Sequence, residues 1–491
     1  MQNKIMRGDS AKKNFVYQFL YQIIILVIPL IVSPYLTRTM SSETLGIYTY
    51  TYSIAYYFVV LAMLGISRHG QRTIANKRND FLALRRSFWS LFYVHLICSL
   101  FALLLYVIYV CFICNDNKTI AFVQTIYVLS ALFDITWLFQ GLEKFKNVVI
   151  RNAIVKILEC VCIFAFVKSP QDLVIYTFIM SASICLGQII LLPQAIKAIP
   201  PVKVSFSEMR EHIKPMLVLF VAAVAATLYT IFDKTLLGIL ASHESVAYYE
   251  YSNKIINIPK TFITVISTVL FPRACLMVTE HNRGGLEKIL KESLLVTYFI
   301  GFASFFGLLG IGDLLAKVYY GDGFSACGEI IISMAILILI IGVGEVVRSQ
   351  YIYPLKRDKA MVRILLLNAA INLILSCALI PVLDVYGAVI GTVVAEIIGL
   401  TLEVYLCKDY ISVRSLVKPG IPFAIIGLFM FIVIRIINMF VDQSLSGFLI
   451  MFVVAAVFYC VVSFIYCYFI DKDTKRILSD VIHKLKVSIK R

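Results

Sequence analysis

Charge is scarce in this chain. Asp, Glu, Lys and Arg together make up 15% of its 491 residues, where soluble domains carry about a quarter. A string of soluble domains is therefore excluded. The chain has no GxxxxGK[ST] phosphate loop, so it binds no ATP through that motif. It has no HExxH or HxxxH spacing among its 6 histidines, and no metal site is expected. The 12 cysteines fall mostly inside apolar runs and read as small core residues, not as disulfides or metal ligands. No cofactor is called for.

Apolar residues fill the space that charge leaves. They make up 60% of the chain, and the mean hydropathy is +0.88. Runs of about twenty apolar residues recur, which suits spanning helices and not the ten-residue alternation of a membrane barrel. The first run, 15–36, is too long for a signal-peptide core and lacks an A-x-A site. The expectation is an all-α polytopic membrane protein with 14 spans near 15–36, 45–66, 87–114, 119–139, 148–168, 172–194, 215–240, 246–271, 289–311, 326–353, 360–381, 386–407, 419–440 and 446–470.

The net charge of +16 would suggest nucleic acid in a soluble protein. Here its placement gives another reading. With the N-terminus inside, the inside segments hold 35 Lys and Arg, against 4 outside, namely Arg38, Lys118, Lys168 and Lys317. Such a split follows the positive-inside rule and puts both termini in the cytoplasm. The longest outside loop, 312–325, is too short for a folded domain. Energy for any transport would come from an ion gradient, the membrane potential or the substrate gradient.

Two halves resemble each other. Tyr48 precedes Arg72 as Tyr249 precedes Arg273, by 24 residues in each case. "FQGLEKFK" (139–146) and "YPLKRDKA" (353–360) follow the fourth and tenth spans. Six helices separate the two units, so the repeats are parallel, with a central cavity expected between them. The expected lobes are 1–200 and 201–410, with two extra helices and a basic tail in 411–491.

Ionisable residues inside spans cost free energy and mark pathways or pairs. The candidates for a substrate cavity are Arg38, Lys156, Glu159, Asp233, Lys234, Glu250, Lys254, Lys260 and Arg348. Against each stands a plainer role, as an intrahelical pair or a snorkelling end. Asp134, Glu345 and Glu396 are the candidate ion-coupling carboxylates, and a neutral hydrogen-bonded Glu is the plain alternative for Glu396. Asn368 and Asn372 read as interhelical glue. The intramembrane cations favour an anionic substrate. The tyrosines at 48, 50, 52, 56 and 57 would suit sugars or ordinary packing. The stretch "WLFQGLEKFKNVVIRN" (137–152) reads as a solvated cytoplasmic turn, with Trp137 as an interfacial anchor, Gly141 at a tight reversal and Arg151 in water.

That stretch, with "LGISRHGQRTIANKRND" (64–80), "DKTLLG" (233–238) and "NAAINLILSCALIPVLDVYGAVIGTVVAE" (368–396), resembles the Wzx-type polysaccharide repeat-unit flippases of the MATE-like MOP superfamily. The likeness covers nearly the whole chain. It implies two six-helix lobes in a V and two extra helices, in a bacterial cytoplasmic membrane. It implies movement of an undecaprenyl-pyrophosphate-linked oligosaccharide from the inner to the outer leaflet by alternating access, with the lipid tail left in the bilayer. H+ or Na+ as coupling ion and a polysaccharide polymerase as pathway partner go with that implication. A multidrug or cation antiporter on the same scaffold is the alternative, and it would want acidic rather than cationic cavity residues. A polymerase or glycosyltransferase would need a larger loop or a carboxylate cluster at one face. A non-transporting scaffold would tolerate loss of Lys156, Lys234 and Lys254.

Overall fold

The computed structural model describes residues 11–470; the cationic ends at 1–10 and 471–491, counted above as cytoplasmic, lie outside the described residues. All described regular structure is helical. The helices are α1 (Ala11–Thr39), α2 (Ser42–Met63), α3 (Ile66–Lys77), α4 (Phe81–Ile108), α5 (Lys118–Leu132), α6 (Thr136–Gly141), α7 (Phe145–Phe166), α8 (Leu173–Ala198) and α9 (Phe206–Leu240). They continue as α10 (His243–Thr279), α11 (Arg283–Leu315), α12 (Cys327–Met334), α13 (Ile336–Val347), α14 (Asp358–Leu383), α15 (Val385–Leu406), α16 (Val413–Val417), α17 (Ile421–Asn438) and α18 (Leu445–Ile465).

A helix stands at each expected span. Among the described residues 11 helical stretches are long and apolar enough to cross a membrane, and 12 if the two parts of α9, bent by 56°, count as one. Two expected spans are not in that count. In α1 the part described with its side chains is Ile24–Thr39, which is apolar but shorter than a span. In α7 Arg151, Lys156 and Glu159 interrupt the apolar run. A count of 14 by apolarity is therefore not reached. The charges that remove α7 from the count are themselves of interest below.

Lipid, not water, explains the outer surface. Ile97, Leu100, Phe101 and Leu104 on α4 are exposed, as are Leu449, Phe452 and Val453 on α18. Inside lie Ser99, Gln124, Ser181, Asn368 and Glu403. Apolar faces outward and hydrogen-bonding side chains inward are what helices in hydrocarbon require. This is a multi-pass membrane protein.

The chain divides into two compact units, Met1–Ala247 and Tyr248–Arg491. In the first, α2 packs on α4, α5 and α9, α1 packs on α7, and α8 packs on α5 and α7. The end of α2 is a sharp break. Leu64 and Gly65 both take left-handed backbone, at φ 41° and 76°, and a Cβ on Gly65 would stand 2.6 Å from the Met216 carbonyl oxygen. Glycine meets both demands, the φ and the approach. A core of Ile74, Phe88, Trp89, Trp137 and Leu138 lies beyond that break. In the second unit α14 and α15 form a close hairpin, and α11 packs on α12, α13, α17 and α18.

The stretch 137–152 is not a solvated turn throughout. Trp137 is wholly buried, against the bare face of Gly70, where a Cβ would come within 2.6 Å of the indole. Its Nε1–H donates to the Asp134 carbonyl at 3.1 Å. Burial this complete is core packing, so Trp137 is no interfacial anchor. Gly141 lies within α6, and its bareness admits Ile74, 2.7 Å from the Cβ position. The reversal falls instead at Glu143, which has φ 57° and pairs with Arg78 at 2.6 Å. Arg151 is buried too, with Nη1 donating to Gln188 Oε1 at 3.1 Å. The α8 neighbour takes it out of the water that the sequence reading gave it.

Candidate functional site

Two polar networks lie inside the helical layers, one in each unit. In the first unit α7 brings Lys156 and Glu159 onto one face, three residues apart. Lys156 Nζ donates to Glu159 Oε1 at 2.8 Å and to Oε2 at 3.0 Å. Glu159 is 5% exposed, and the Ser183 hydroxyl on α8 donates to its Oε2 at 2.5 Å. The carboxylate is therefore held from two sides. Lys156 keeps about a third of its side chain exposed. A held carboxylate with a reachable ammonium is a site that an anion can approach.

The tyrosines of α2 lie nearby in the same unit. Tyr48 meets Tyr176 edge-on at 4.7 Å, and the Tyr52 and Tyr127 hydroxyls stand 3.2 Å apart. Tyr57 bonds Thr235 at 3.0 Å. These contacts are the packing role that the sequence allowed for them.

Asp134, a candidate for ion coupling, has a structural task. Its Oδ1 accepts from the Thr136 backbone N–H at 2.9 Å and from the Thr136 hydroxyl at 2.5 Å, at the start of α6. Arg38 is exposed at the end of α1 and donates to the Pro34 carbonyl at 3.1 Å. Asp233 is buried on α9, with Lys234 half-buried beside it.

In the second unit α10 carries the expected turn-spaced pair. Lys254 Nζ is 4.0 Å from Glu250 Oε1 and 3.9 Å from the Tyr251 ring centroid. Asp233 and Lys234 belong to the first unit and Glu250 and Lys254 to the second. Lys260 is half-buried further along α10.

A further charged group lies where α13 meets α15. At Arg348 the α13 helix passes into a π turn, Arg348–Ile352, a widening frequent at functional sites. Arg348 Nη2 reaches Glu345 Oε2 at 3.3 Å, and Nη1 reaches Glu403 Oε1 at 2.8 Å. Glu403 is 1% exposed and Glu396, on the same face of α15, is 4% exposed. Glu403 Oε2 and Glu396 Oε1 have no hydrogen-bond partner among the described residues. One guanidinium thus serves two carboxyls, Glu345 and Glu403, and Glu396 lies about two turns away along the buried face of α15.

Sequence reasoning found Glu345, Arg348 and Glu396 but missed Glu403. The available signal was its spacing of seven residues from Glu396, which places both on one helix face. Asn368 and Asn372 do join α14 to α15. Asn372 Nδ2 donates to Thr392 at 3.0 Å, and the Asn368 amide lies against Gly399. No group of three metal-ligating side chains occurs among the described residues. Cys111, in the π turn that ends α4, and Cys114, just past it, are spaced as CxxC and are free thiols.

Residues 11–276, more than half of the chain, match the family described as "Polysaccharide biosynthesis protein". The chain belongs to that family. It is 26% identical over 395 residues to a "Putative O-antigen transporter" of Shigella dysenteriae, covering 79% of this chain and 97% of that protein. Its fold is similar to that of "Lipid II flippase MurJ, inward closed conformation", with a TM-score of 0.73 at 17% identity, covering 93% of this chain and 99% of that one. It is also similar to an inward-facing "multidrug resistance MATE family transporter of the MOP superfamily", with a TM-score of 0.59 at 12% identity, covering 79% and 95%. The all-helical, multi-pass fold expected from the sequence is found, and it is similar to the fold of these two transporters. These relatives are named as transporters and flippases.

Proposed function

We propose that this protein is a flippase for undecaprenyl-pyrophosphate-linked oligosaccharide repeat units. It moves them from the cytoplasmic to the outer leaflet of the bacterial cytoplasmic membrane by alternating access, with both termini cytoplasmic. The observation that carries the reading is the family match, joined to similarity along 97% of a putative O-antigen transporter. The 35-to-4 distribution of cations supports the orientation.

The chemistry agrees. A pyrophosphate leaving water needs charge-assisted donors. Lys156 offers one in the first unit and Lys254 and Lys260 offer more in the second, with Arg38 and Lys234 as further candidates. Glu159, Asp233 and Glu250 are proposed to hold those cations until an anionic head group arrives. The Glu345–Arg348–Glu403 group, with Glu396, is the proposed place for H+ or Na+ coupling, and Asp134 is the first unit's candidate. The division into lobes 1–200 and 201–410 with two added helices belongs to the same proposal, as does a polysaccharide polymerase acting after the flip.

Depletion tests this reading. Lipid-linked repeat units should accumulate on the cytoplasmic face. Normal export in cells without a second transporter would remove the proposal.

A further inference from the structure

A cavity of about 770 Å³ opens at one end of the second unit. Three segments frame it: the start of α11, the connector from α15 through α16 to α17, and Tyr466 just past α18. All three are helix ends, so the cavity lies at the membrane surface. Its floor includes Leu290, Leu295 and Ile411, all buried. Its rim carries four cations, Lys291, Lys408, Arg414 and Lys418, against two carboxylates, Glu287 and Asp409.

The rim cations are not alike. Lys408 leans on Tyr405, with Nζ 4.5 Å from the ring centroid. Arg414 and Lys418 are exposed and form no ion pair among the described residues. The connector itself is fixed. The Ser412 hydroxyl accepts from the Ser415 N–H at 3.1 Å, and Tyr298 OH donates to the Leu416 carbonyl at 2.8 Å. Tyr410 is held by the Arg283 guanidinium, 5.1 Å from its ring centroid. A rigid loop thus presents surplus positive charge over an apolar floor.

We infer that this cavity binds the phosphate of an anionic phospholipid headgroup from the adjoining leaflet. The rim supplies the charge that a phosphodiester seeks, as basic pockets at helix ends do. The floor suits the glycerol and first methylenes, which a soluble phosphate lacks. A volume within the usual range for small-molecule sites accommodates such a headgroup. The site shares no lining residue with the substrate networks described above and does not depend on the proposed cargo.

The test uses the full chain in nanodiscs of equimolar phosphatidylglycerol and phosphatidylcholine, with retained lipid counted by native mass spectrometry. The wild type should keep phosphatidylglycerol in preference to phosphatidylcholine. Arg414→Gln with Lys418→Gln should lower that preference by about tenfold, while Arg414→Lys with Lys418→Arg keeps most of it. Thermal unfolding of each variant confirms that the fold is intact. A wild type without lipid preference, or a Gln variant that keeps it, overturns the inference. Displacement of the lipid by inorganic phosphate would also overturn it, since the source would then be soluble. A wild type that keeps phosphatidylglycerol but does not flip the repeat unit would count against the proposed function alone.

Discussion

Arg348 and Glu403 stand 55 residues apart in the chain and meet at 2.8 Å inside the second unit. Neither alone would be tolerable there. Burying an ion costs several kcal/mol unless a partner and hydrogen bonds offset it. Arg348 answers both Glu403 and Glu345, and so ties α15 to the end of α13.

Arg348→Met should therefore destabilise the protein by about 3 kcal/mol, because Glu403 loses its counter-charge. Adding Glu403→Gln to it should restore most of the loss. Thermal unfolding in detergent measures both. A cost below about 1 kcal/mol for Arg348→Met would show that the pair is not holding the helices together.

Lys156→Gln should lower repeat-unit export by tenfold or more while leaving the protein in the membrane. It removes the reachable ammonium beside Glu159. Lys156→Arg should retain export, since it keeps the charge. Unchanged export in Lys156→Gln cells would take Lys156 out of the substrate path.

Asp134 has two candidate roles, and one pair of variants separates them. As the acceptor for Thr136 at the start of α6 it needs only an oxygen. Asp134→Asn should then export normally, and Asp134→Ala should lose about 1 kcal/mol of stability. Loss of export in Asp134→Asn with stability unchanged would give it an ionic role instead.

Gly46→Ala should destabilise by about 1–3 kcal/mol, as overpacking does. A Cβ there would stand 1.7 Å from the His243 carbonyl oxygen, at the start of α10. The backbone on both sides leaves little room to yield. Unfolding temperatures of the variant and wild type decide it, and equal values would contradict the close packing of α2 on this segment.

The periodic parts of this molecule were legible in the sequence. Helices stand where the apolar runs are, because backbone polar groups in hydrocarbon must be satisfied within the segment. Pairs on one helix were legible as well: Lys156 with Glu159, Glu250 with Lys254, and Glu345 with Arg348 follow from helical spacing. Partners from other helices were not. Glu403 joins Arg348 across 55 residues, and Trp137 is buried because Gly70, far away in the chain, has no side chain. Arg151 was misread for the same reason, since Gln188 on α8 meets it inside the unit. Local patterns give the face a residue occupies, and tertiary packing decides whether that face meets water.

Flipping itself gives the most direct test of the central claim. The purified full chain is placed in proteoliposomes with a fluorescent undecaprenyl-pyrophosphate oligosaccharide, and a membrane-impermeant reagent reads the label in the outer leaflet. The wild type should bring inner-leaflet label to the reagent much faster than protein-free vesicles, and Lys156→Gln should slow it by tenfold or more. Label that crosses no faster with the wild-type protein than without it would contradict the account.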